Sequence, residues 1–121
     1  MNTGNPKIIS LDLTACCALR EGFEKNQNIM LYLNHEFDPA RVIFYQNTLS
    51  KFDIGIQLAG NDETAEIFSI VAEAEKKRLL KKLAENNKFK PECGLCSAHQ
   101  HLKALDRTLE MLGSLAPVGH A

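Results

Sequence analysis

Residues 91 to 101 read PECGLCSAHQH, and they bring together half of the cysteines and half of the histidines of this chain. Cys93 and Cys96 are spaced C-x-x-C, so both thiolates can reach one tetrahedral zinc ion. His99 lies three residues beyond Cys96 and is a reachable third ligand, with His101 as an alternative. The two histidines are two residues apart, so on a regular helix they diverge by about 200°. This segment alone therefore does not close a four-ligand site.

The same pair can be read as a redox dithiol. A thiolate at a helix start is stabilised by the unpaired N–H groups there. Against this, no strand precedes the motif, which the thioredoxin-like arrangement requires. A third reading is structural. Ser97, Ala98, His99 and Gln100 match a capping box, which makes CGLC the turn before a helix and Cys96 a small apolar residue.

Cys16 and Cys17 are adjacent, a spacing that rarely puts two ligands on one ion. In an up-and-down bundle, helices of about 20 residues are about 30 Å long, and the two cysteine pairs fall at opposite ends. The expectation is that they do not meet within one chain. The expected state carries no cofactor, with zinc on Cys93, Cys96, His99 and His101 as the alternative.

The elements that must position these groups follow from apolar spacing. Cys16, Leu19, Phe23, Met30, Leu33 and Phe37 mark one helical face, interrupted by Asn26. Val42, Tyr45, Leu49, Phe52, Ile56 and Ala59 mark a second, opened by Asp38-Pro39 as cap and first helical residue. Asp62 to Asn86 begins with acids and ends with lysines, the order that suits a helix dipole. Leu95, Ala98, Leu102, Leu105, Leu109 and Leu112 form a fourth stripe. Gly60-Asn61-Asp62 and Asn86-Asn87 with Pro91 punctuate the chain.

Four amphipathic segments joined by short connections predict an all-α, antiparallel up-and-down four-helix bundle. The alternative is an α+β fold with a β-hairpin at 41–58, because FDIGIQL alternates strictly and RVIFY could pair with it. One domain spans 1–121, with loose tails at about 1–8 and 113–121.

The 121 residues carry 14 basic and 15 acidic side chains, a balance that argues against a dedicated nucleic-acid binder. The basic run from Lys76 to Lys90 reads as a solvated helix face. No signal-peptide pattern or membrane-length apolar run occurs, so the expected setting is cytoplasmic, with reduced thiols. No nucleotide loop, catalytic triad or Glu-x-x-His pair is present. The expected function is therefore non-enzymatic: a bundle acting through protein–protein interaction or self-association, regulatory or adaptor-like. Surplus apolar residues on the second segment, Ile43 and Phe44, place the contact of a homodimer there. The runner-up is a thiol-dependent redox regulator or zinc-binding protein using CGLC.

Overall fold

In a computed structural model, the chain is described over residues 7–51, 55–94 and 96–115. The order is β1 (Lys7–Leu11), α1 (Leu13–Lys25), α2 (Gln27–Glu36), α3 (Pro39–Lys51), β2 (Ile56–Gly60), α4 (Asp62–Glu85) and α5 (Ala98–Leu115). The protein is thus mostly helical with one small antiparallel sheet. No helix among the described residues is long and apolar enough to cross a membrane.

Local chemistry sets the starts of α1, α3, α4 and α5. Asp12 caps α1 by accepting from the Ala15 N–H at 2.8 Å. Asp38 accepts from the Ala40 N–H, and Pro39 opens α3. Asn61 and Thr64 form a reciprocal capping box on α4. Ser97 and Gln100 do the same on α5, as their spacing predicts: the Ser97 N–H donates to Gln100 Oε1, and the Gln100 N–H to Ser97 Oγ.

The first predicted segment is not one helix. It breaks at Asn26, whose side-chain amide donates to the Gly22 carbonyl and to the carboxylate of Glu75. A strand, β1, precedes it. Ile9 and Leu11 on β1 are buried while Ile8 and Ser10 are exposed, which is the period of a half-buried strand.

The hairpin alternative at 41–58 is not formed. Residues 41–51 lie in α3, whose inward stripe of Val42, Tyr45 and Leu49 is buried. The alternation in IQL does mark a strand, but β2 pairs with β1, in the register Lys7↔Gly60 to Leu11↔Ile56. Gly60 accordingly ends a strand and not a helix. Phe52 to Ile54 lie outside the described residues. β1 and the last turn of α5 reach into stretches that the sequence places in loose tails.

A two-stranded sheet is marginal alone. Here β1 leans on α5: Ser10 N–H meets the Met111 sulfur, and Lys7 Nζ donates to the Leu115 carbonyl. α1, α4 and α5 pack on one another, and α2 and α3 pack against each other and against α1. Phe23 and Phe68 meet edge-to-face at 6.1 Å between centroids, and Tyr45 adds a tilted contact with Phe68 at 5.2 Å. The Tyr45 hydroxyl is satisfied by Thr64 Oγ1.

The close approach of α1 to α4 requires Gly22. A Cβ there would lie 2.8 Å from Val71 Cγ1 and 3.2 Å from Glu75 Cβ. Gly22→Ala therefore sets two effects against each other. Helix propensity favours alanine by about 1 kcal/mol, while overpacking costs about 1–3 kcal/mol. The expected net result is destabilisation, read as a lower urea midpoint. A raised midpoint would mean that the two helices separate at little cost.

Candidate metal centre

The connection between α4 and α5 runs back along α1 in the opposite direction. Lys25 pairs with Glu92. The Cys93 N–H donates to Glu21 Oε2 at 2.6 Å. Cys96 Sγ approaches Thr14 Oγ1 at 3.9 Å. Beyond it, Arg107 of α5 pairs with Asp12 at 2.8 Å. Numbers fall along one strand of chain as they rise along the other. Within CGLC, Gly94 sits at φ +72, a conformation that glycine adopts without steric cost. Leu95 lies outside the described residues.

This course brings Cys17 to the C-x-x-C pair. The sulfurs of Cys17, Cys93 and Cys96 all lie within 4.8 Å of one another. The three could bind one metal ion. The expectation that the two cysteine pairs stay apart is therefore corrected. It assumed long helices with CGLC at the far end of one. Instead α1 has 13 residues, about 20 Å at 1.5 Å per residue, and CGLC is not helical.

Cys16 stays out of the cluster. Consecutive helical residues point about 100° apart, and Cys16 Sγ is directed to the Leu11 carbonyl at 3.8 Å. Burial raises its thiol pKa.

The two histidines separate as helix geometry requires. His101 is fully buried, with Nε2 3.4 Å from Cys93 Sγ. His99 is exposed on the other side of α5. Spacing ranked His99 first, yet the structure brings His101 to the sulfurs. Cys17 is the residue that sequence reasoning missed. Its only signal was its place beside Cys16, one position off the apolar stripe of that segment.

Around the sulfurs lies a buried polar network. Glu75 is fully buried and takes two 2.7 Å hydrogen bonds from Arg78, at Nε and Nη2. Arg78 also stands 3.6 Å from Glu21, and its guanidinium stacks over Phe89 at 5.9 Å. The Glu75 hydrogen bond, ahead of burial, raises the Arg78 pKa and keeps the cation fully charged. Arg20 places Nη2 3.5 Å from Cys17 Sγ.

Without a metal, this environment favours protonated thiols. Burial first, then the neighbouring Cys93, pushes Cys17 up to about 12. Burial likewise raises Cys96 and lowers His101. Thiols held neutral are poor nucleophiles, since the thiolate is the reactive form. A bound cation reverses this by deprotonating its thiol ligands outright.

Comparison with protein-family models, curated proteins and solved structures gave no match to this chain.

The pKa shifts predict how the metal-free protein responds to pH. His101 is depressed from 6.5, so below that value the unfolded chain binds more protons and stability falls with pH. Cys17 is raised from 9.0, so its contribution is complete below about 9 and is lost as pH rises towards about 12. Urea midpoints measured with a chelator present should form a plateau between these limits. Cys17→Ser should flatten the alkaline side. An alkaline decline unchanged in that variant would show that Cys17 is not the group responsible.

Proposed function

We propose that this chain is a non-enzymatic, zinc-binding helical protein whose metal fastens the α4–α5 connection to α1. The observation that supports this reading is the mutual approach of Cys17, Cys93 and Cys96 within 4.8 Å. A tetrahedral ion with Zn–S bonds of about 2.3 Å holds sulfurs about 3.8 Å apart, so the cluster needs only a small contraction. Three thiolates select zinc over harder cations such as magnesium and calcium. The redox reading is weaker, because Cys17 and Cys96 are held as thiols and not as nucleophilic thiolates.

Metal binding in such a site releases protons and adds to folding free energy. The ligands come from two parts of the chain far apart in sequence, so the ion stabilises a long-range contact. The surfaces displayed by α1 and α5 would then depend on metal supply, which is how a regulatory or adaptor role would be exerted.

The test is elemental analysis of protein purified under reducing conditions with zinc supplied. About one equivalent per chain is expected, and Cys17→Ser should lower affinity by tenfold or more. Zinc well below stoichiometry, or retained unchanged in Cys17→Ser, would remove this reading.

A second reading, self-association, has its own support. Leu31 is 70% exposed and Tyr32 49% on α2, and Ile43 is 52% and Phe44 55% exposed on α3. Large apolar side chains left in water on two neighbouring helices favour a protein contact. A homodimer through Ile43 and Phe44 is expected in sedimentation at tens of micromolar, and Phe44→Glu should shift it to monomer. A wild-type mass of one chain under those conditions would discard the dimer.

A further inference from the structure

We propose that His101 is the fourth ligand of this centre, through Nε2, closing a Cys3His zinc site, and that Glu21 orients the ring from its other side. The inference rests on the three-thiolate reading and extends it.

Three observations converge. The first is distance. His101 Nε2 stands 3.4 Å from Cys93 Sγ, and the N–S edge of a tetrahedral zinc site is about 3.5 Å for bonds of about 2.0 and about 2.3 Å. The ring is not within 4.8 Å of all three sulfurs, so closure draws the remaining ligands inward.

The second is an unmet need on the opposite side. Among the described residues, two buried side-chain polar atoms lack a hydrogen-bond partner: His101 Nδ1 and Glu21 Oε1. Such atoms are costly and rare. A metal-ligating histidine almost always donates its other ring N–H to a carboxylate or carbonyl. A ring fixed by zinc at Nε2 carries its proton at Nδ1, and Glu21 Oε1 takes no hydrogen bond, although the Arg78 guanidinium stands 3.6 Å from it. The other Glu21 oxygen already anchors the Cys93 N–H, so one carboxylate would brace two ligands.

The third is charge. Zinc with three thiolates and a neutral imidazole carries −1. Arg20 stands 3.5 Å from the Cys17 sulfur, and Arg78 stands 3.6 Å from Glu21. Arg20 offsets the charge of the centre, and Arg78 is shared between Glu21 and Glu75. Four protein ligands leave no position for water, which makes the ion structural and not catalytic.

Zinc-edge X-ray absorption of the wild-type protein tests this directly. Three sulfurs at about 2.3 Å and one imidazole nitrogen at about 2.0–2.1 Å are expected. His101→Cys should give four sulfurs with zinc retained. Glu21→Gln should keep the ligand set but weaken affinity by about 10–100-fold. Three sulfurs with a water or carboxylate oxygen in the wild type would overturn the closure while leaving the three-thiolate site. Glu21→Gln with wild-type affinity would overturn the orienting role. Failure of the wild type to take up zinc would overturn both readings.

Discussion

The hydrogen bond from the Cys93 N–H to the buried carboxylate of Glu21 is the contact on which the candidate centre depends. It docks the α4–α5 connection against the middle of α1. From that point the chain runs towards the start of α1, with Cys96 beside Thr14 and Arg107 beside Asp12. Burying a carboxylate costs several kcal/mol unless it is paired. Here Arg78, itself gripped by Glu75, stands beside it. Glu75 in turn is satisfied by Asn26, the residue at which α1 ends. One polar chain thus joins the α1–α2 break, the body of α4 and the cysteine turn.

The same network explains why the cluster lies in an otherwise ordinary core. Apolar packing among Phe23, Tyr45 and Phe68 holds the centre of the molecule, and non-directional burial would tolerate many placements of the connection. Hydrogen bonds to charged groups are directional and are costly to leave unmade. They fix the loop where hydrophobic contact alone would not. The aromatic core and the Gly22 approach set how closely α1 and α4 lie, and the polar chain sets what is laid across them.

Electrostatics separates the two chemistries that cysteine offers here. A redox thiol needs a stabilised thiolate. Burial does the reverse for Cys17 and Cys96, and Arg20 only partly offsets it at Cys17. A metal site tolerates high thiol pKa values because the cation itself displaces the protons. The environment that makes these sulfurs inert as nucleophiles is therefore compatible with their use as ligands. The exposed apolar side chains of α2 and α3 are not members of the cysteine cluster.

By itself, the sequence determined that the chain is mostly helical and where several of its helices begin. Asp38-Pro39, Asn61 and the Ser97–Gln100 box act through neighbours within a few residues, and so does the stripe that buries Leu105 and Leu112. It also singled out Cys93, Cys96, His99 and His101 as candidate metal ligands. Only the tertiary structure decided that Cys17 joins Cys93 and Cys96 and that β2 pairs with residues 7–11. It also left His99 in solvent. The strand partner of IQL and the partner of CGLC each lie tens of residues away. Local periodicity carries no information about such pairings, which depend on where a helix stops. Asn26 ends α1 through its bond to Glu75, forty-nine positions further along the chain, and that contact exists only once the chain has folded.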